Sequence, residues 1–278
     1  MRILSALLIL TVSSLAEPQA DFKAPKNTGP GLYEIGDVKL DQNKRTVTFP
    51  AKVNMVDGLV EYYMVRPEGS VHESVLVSDV QPQEVHMAMT LLGAKGMVPD
   101  KDTAQKGPAR IDAEYLAKAP KITGDSISMT VTWKDPAGAE KTAPAETWMV
   151  RRVAVAKKPA KNIAADEGPW LYNGSLFFEN HFLAQTEGVF ISVVTYPSAL
   201  INNPRKGSND DHQWFVNTAS IPAKDTPVTF TIKLNQAGEA AKDAKDAPAA
   251  DKADKPADEK EKPAPRNSPK DTKKQPAK

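Results

Sequence analysis

The stretch Leu59-Val-Glu-Tyr-Tyr-Met-Val-Arg-Pro-Glu-Gly-Ser-Val-His-Glu-Ser-Val-Leu-Val77 decides how the chain folds. Two apolar runs flank Arg66-Pro67-Glu68-Gly69. Proline at the second turn position and glycine at the fourth are the chemistry of a type I turn closed by a glycine bulge. The expectation is an antiparallel hairpin with Val65 opposite Val71, Tyr63 opposite Glu73 and Glu61 opposite Val75. One face then carries Glu61 and Glu73 among apolar residues, while His72 points to the other.

The same alternation recurs outward from this stretch. "VKLDQNKRTVTF" (Val38–Phe49) gives two strands about a turn, with Val38, Leu40, Val47 and Phe49 inward. "SISMTVTW" and "TAPAETWMVRRVAV" form a second pair, with Ile127, Met129, Val131 and Trp133 on one face. Asn173-Gly174 marks a tight turn inside "WLYNGSLFF". Only "PQEVHMAMTLL" (82–92) has helical spacing, with Val85, Ala88, Met89 and Leu92 on one side and Pro82 in the first turn. The expected fold is mainly β (α+β): antiparallel sheets with one short buried helix, in two packed sheet-based subdomains. The first spans 32–156 with a surface insertion at 97–121, and the second spans 169–235. The Lys- and Pro-rich residues 157–168 read as the linker between them.

The two ends have other compositions. Residues 1–16 read as a secretory signal: Arg2, the apolar "ILSALLIL", then the small-residue pattern Ser14-Leu15-Ala16. That apolar run is shorter than the roughly 20 residues a spanning helix needs, so no transmembrane anchor is expected after cleavage. Residues 17–31 read as a loose leader. From 236 to 278 the chain has no Leu, Ile, Val, Phe, Tyr, Trp or Met. Such a segment cannot bury enough apolar area to offset the entropy of ordering, and reads as a disordered, mixed-charge tail. An exported protein, periplasmic or extracellular, follows.

The 278 residues carry a formal net charge of +1, which gives no reason to expect nucleic acid as a partner; an envelope protein or polymer fits better. The absence of cysteine excludes disulfides, a thiol nucleophile and an iron–sulfur cluster. HExxH, GxSxG and GxxxxGK[ST] are missing, so no short motif specifies a reaction.

Two constellations remain. Glu61 and Glu73 share an apolar face, and a carboxylate buried there without an answering charge is costly. The helix carrying His86 must cover one face of the hairpin. If it covers this one, Glu61, Glu73 and His86 can hold a divalent ion such as zinc, manganese or iron with open positions, the geometry of a hydrolase centre. The plainer reading has Glu73 bonding tyrosine hydroxyls or backbone and His86 as a packed core histidine. In the second half, Trp170 and Trp214 with Asn203, Asp210 and Asp211 could line a carbohydrate- or peptide-binding surface. The alternative places the tryptophans in the core and the Asp/Asn residues in turns.

"VNMVDGLVEYYMV", "GSVHESVLVSDVQPQEVHMAMTLLGAKG", "GPWLYNGSLFFENHFLAQTEGVFISVVTYPSALINNP" and "DDHQWFVN" resemble the YdjY-domain proteins over roughly residues 34–235. The likeness is most specific at His72-Glu73-Ser74 and Gly168-Pro169-Trp170. It implies an exported bacterial protein and brings no agreed mechanism or catalytic residues. The ferredoxin-like label of some relatives does not transfer to a chain without cysteine. Taken together, a non-enzymatic binding or structural module is the leading expectation, ahead of a metal-dependent enzyme.

Overall fold

The computed structural model describes residues 23–98 and 118–236. The expected signal segment, most of the 97–121 insertion and the tail beyond Gln236 lie outside these residues.

The chain starts as a meander of β1 (Lys26–Gly29), β2 (Leu32–Ile35), β3 (Val38–Asp41) and β4 (Thr46–Val53), each antiparallel to the one before. The expected loose leader is thus corrected in part, because Lys26–Gly29 is an edge strand. Next come β5 (Tyr62–Val65), a 3-10 turn at Val71–Glu73, β6 (Ser74–Val77) and helix α1 (Pro82–Leu91). Helix α1 begins with proline where no backbone donor is missed, and the Gln81 N–H donates to the Glu84 carboxylate at 3.4 Å. Strand β7 (Asp125–Lys134) and β8 (Glu140–Pro144) form the expected hairpin, followed by a 3-10 turn at Ala145–Trp148. Then β9 (Met149–Val155) and β10 (Lys158–Ala164) pair with each other. After β11 (Trp170–Tyr172) come the β12 (Phe177–Phe178) and β13 (His181–Phe182) pair, the short α2 (Leu183–Glu187) and β14 (Val189–Ser192). The chain finishes with β15 (Ile201–Asn202), β16 (Trp214–Val216) and β17 (Pro227–Leu234).

Eight of these strands close on themselves in the order β4-β17-β7-β11-β15-β14-β5-β6, with β6 returning to β4. Closure leaves the ring without an edge of its own. Its interior is filled by aromatics from five strands. Phe49 stacks on Phe190 at 6.0 Å and Phe230 at 5.6 Å, and Tyr63 meets Phe230 at 6.0 Å and Trp170 at 5.8 Å. The barrel interior is therefore a packed aromatic core.

Two expectations change here. The segments on either side of 157–168 do not make separate sheets: β17 lies between β4 and β7, and β11 pairs with β7. The supposed linker is itself strand β10, an edge strand whose lysines and proline give it linker-like composition. The Asn173-Gly174 pair does not fold a hairpin either. The buried Asn173 side chain donates to the Pro197 and Ala199 carbonyls, both at 2.8 Å, and so ties two loops together.

The deciding stretch also departs from expectation. Its turn forms, with the Gly69 N–H donating to the Arg66 carbonyl at 2.9 Å, but β6 then pairs parallel to β5. The residues from Arg66 to Glu73 carry the chain back beside the start of β5. Both strands are buried on both faces, because Tyr62 and Val65 pack outside the ring against Val189, Tyr196 and Ala199.

Candidate functional site

Parallel pairing sets Tyr62 opposite Ser74 and Met64 opposite Leu76. One residue earlier, the Glu61 N–H donates to the Glu73 carbonyl at 3.1 Å, so the two glutamates are direct lateral neighbours. The Glu61 carbonyl accepts from the Val193 and Val194 N–H groups at 2.8 and 3.2 Å. The backbone beneath this carboxylate is held from both sides.

A distant segment completes the cluster. The Val60 N–H donates to the Trp214 carbonyl at 3.0 Å, and Leu59 bridges Phe215, which brings the loop before β16 alongside Glu61. In that loop Asp210 accepts the His212 N–H at 2.9 Å and the Gln213 side-chain amide at 2.7 Å. His212 Nδ1 lies 2.6 Å from Asp211 Oδ1, which orients the ring. The ligand atoms of Asp210, Asp211 and His212 lie within 4.8 Å of one another. Gly207, at φ 92°, lets this loop approach β9: a Cβ there would sit 2.9 Å from Arg151 Cδ.

Charge converges on Glu61. Burial first, then the Glu73 carboxylate, then Asp211 push its pKa up to about 7, while His212 pulls the other way. His72 Nε2 stands 3.8 Å from Glu73 Oε2. The expectation that His72 and Glu73 diverge on a strand is corrected, because both sit in the 3-10 turn. Among the described residues no lysine or arginine is ion-paired with Glu61, Glu73, Asp210 or Asp211; only the two histidines are paired with members of the set.

The structure brings Glu61 and Glu73 together and places His86 elsewhere. His86 lies on α1, where Nδ1 meets the Tyr172 hydroxyl at 2.8 Å and the ring packs on Phe182 at 4.9 Å. Burial lowers its pKa. Helix α1 packs with α2 at the Val189 end of β14, whereas Tyr62, next to Glu61, pairs with Ser192 at the other end.

The second set divides likewise. Trp170 and Trp214 are fully buried, so neither presents a ring to a groove. Trp214 Nε1 donates to the Gly207 carbonyl at 2.9 Å, and Trp170 Nε1 to Glu146 at 3.4 Å. Asn203 is buried too, donating to the Val193 carbonyl at 3.0 Å and accepting from Arg205 Nη1 at 3.1 Å. Asp210 and Asp211 alone of that set reach the surface, beside Glu61. His212 stands beside Asp210 and Asp211 in the loop "NNPRKGSNDDHQW", a neighbourhood legible in the sequence, whereas the approach of that loop to Glu61 is not. The sequence reading missed the buried Glu146–Arg205 ion pair at 3.5 Å, which no local pattern announces.

A site of this kind, with carboxylates and an oriented imidazole, suits a divalent cation that accepts oxygen and nitrogen ligands. No curated protein and no solved structure matches the chain. Its residues 38–233, well over half its length, match the family model of the YdjY domain, and the chain belongs to the YdjY-domain family.

Proposed function

We propose that this protein is an exported, non-enzymatic binding module whose Asp210, Asp211 and His212 capture a divalent cation such as zinc or manganese, with Glu61 and Glu73 adding negative charge beside it. One observation carries the reading: the ligand atoms of Asp210, Asp211 and His212 lie within 4.8 Å of one another, in a loop whose Asp211 adds to the negative charge already felt by Glu61 from Glu73, and none of these carboxylates is ion-paired with a lysine or arginine among the described residues. A bound cation is the missing charge. A metal-dependent hydrolase built on Glu61, Glu73 and His86 finds less support, because His86 is engaged with Tyr172 and Phe182.

Calorimetric titration of the metal-stripped full chain with zinc and with manganese tests this. About one equivalent should bind at pH 8, and Glu61→Gln or Asp211→Asn should each weaken binding by roughly tenfold or more. Affinity should fall as the pH drops below about 7, where Glu61 takes up a proton that competes with the metal. In Glu61→Gln that part of the pH dependence should vanish. Absence of saturable binding to the wild type at pH 8 would end the reading.

The metal-free protein offers a separate check. Glu61 holds its proton more tightly folded than unfolded, so folding stability is fullest below its ordinary value of 4.5 and is lost as the pH rises through about 7. Glu61→Gln should therefore flatten the stability profile over that window. At pH 8 it should be the more stable protein, by on the order of 1 kcal/mol after allowance for solvent screening. Urea midpoints across the range would show it, and a parallel profile for both proteins would contradict it.

A further inference from the structure

We propose that the β9–β10 hairpin is a docking surface for an anionic glycan, independent of the cation at Glu61. From Thr147 to Ala165 the chain has Arg151, Arg152, Lys157, Lys158 and Lys161 and no acidic residue. Among the described residues none of these five is ion-paired with a carboxylate. The hairpin stands at the margin of a three-stranded sheet in the order β10-β9-β16, so among the described residues no strand pairs with the outer side of β10. Its register shifts between Lys158 and Lys161, which bows the strand at Pro159 and Ala160. The bow forms an open groove of about 880 Å³ lined by Arg152, Val155, Lys158, Lys161 and Asn162 among others.

The groove's chemistry selects among polyanions. Phe215 is the aromatic residue beside it, and its face is taken by the Arg152 guanidinium, 3.7 Å from the ring centroid. Among the described residues lining the groove no free ring remains for a nucleobase to stack on. The tip from Val155 to Pro159 has no large apolar or aromatic side chain to enter a bilayer. Proline and lysine on β10 disfavour addition of an acidic peptide as a further strand. What fits is an extended polar chain with an anion on each repeat, reaching Arg152, Lys158 and Lys161 together. Arg152 is held for this role, its Nε donating to Asn162 at 3.2 Å and its N–H to the Gln213 carbonyl at 2.7 Å.

The test is fluorescence anisotropy of a labelled heparin oligosaccharide with the full chain at physiological salt. Lys157→Glu/Lys158→Glu/Lys161→Glu should weaken binding by roughly tenfold or more, since each reversal replaces an attraction with a repulsion. The matched change in the tail, Lys262→Glu/Lys270→Glu/Lys273→Glu, should alter it by about twofold or less. All three hairpin positions are exposed, so thermal melts of the variants should coincide with the wild type. The proposal is overturned if the wild type fails to bind, or if the tail variant loses as much as the hairpin variant. Tighter binding to phosphatidylglycerol vesicles or to single-stranded oligothymidine than to heparin would likewise overturn it.

Discussion

Arg205→Ala should lower the unfolding free energy by about 3–5 kcal/mol, the usual cost of leaving one member of a buried ion pair without its partner. The Arg205 and Glu146 side chains are only 6% and 8% exposed, with 3.5 Å between Nη2 and Oε1. Arg205 also donates to the Asp166 carbonyl at 2.5 Å, the Gly168 carbonyl at 2.6 Å and Asn203 Oδ1 at 3.1 Å. Glu146 in turn accepts from the Gly168 N–H and from Trp170 Nε1, both at 3.4 Å. The pair therefore joins the turn before β9, the segment leading into β11 and the loop after β15. Truncating the arginine strands a carboxylate and two carbonyls inside the protein. The double variant Arg205→Met/Glu146→Leu should recover much of the loss, because it removes the orphaned charge along with its partner. Urea titrations of the three proteins at pH 7 decide the matter. A single-variant loss under about 1 kcal/mol would mean that water reaches the pair.

Phe230→Ala should cost a comparable amount, about 3–5 kcal/mol. Phe230 is completely buried at the middle of β17, opposite Phe49 on β4 and Val131 on β7. The cavity left by the ring would be bounded by Phe49 and Tyr63, which belong to paired strands and cannot close over it. Phe230→Leu, which keeps most of the volume, should cost less. Thr229→Ala, on the exposed face one residue away, should change stability by no more than about 0.5 kcal/mol. Because β17 is laid between strands from the first half of the chain, unfolding should be one cooperative transition for wild type and variants alike. Two resolved transitions would mean that the halves fold separately after all.

Much of the β architecture was legible in the sequence. The Val38, Leu40, Val47 and Phe49 alternation and the Ile127–Trp133 face are where the pattern puts them, since one side of each strand faces the core and the other faces water. Legibility failed where that asymmetry fails. All four residues of β5 and of β6 are buried, and strands covered on both faces read as continuous apolar runs whose partner direction no alternation reveals. The Arg66–Gly69 turn forms as its proline and glycine predict, yet a turn fixes only the next few residues. It cannot say whether the chain then pairs at once or first runs back through another turn. The same error shifted the glutamates: a hairpin makes Glu61 and Glu73 diagonal neighbours, while the parallel return makes them adjacent. Asp211 and His212 could be seen as polar loop residues, but their approach to Glu61 depends on closure of a ring across about 150 residues of chain, which is tertiary information. Residues 157–168 misled for a different reason, because an edge strand protected by lysine and proline has the composition of a linker.

The direction of β17 gives the molecule a front and a back. Pro227, where the strand begins, is next to Val53 and hence on the same side as Glu73, since Asn54 bonds the Val71 and Ser74 carbonyls. Leu234, where it ends, lies beside Arg45 and Ile127 at the other extreme of the barrel wall. The eight residues of this strand set the two about 23 Å apart. Gln236, the last described residue, thus lies at the back, while the Glu61–Glu73 pair occupies the front. A partner that approaches the glutamate pair therefore meets the barrel at the end opposite to the one where β17 finishes.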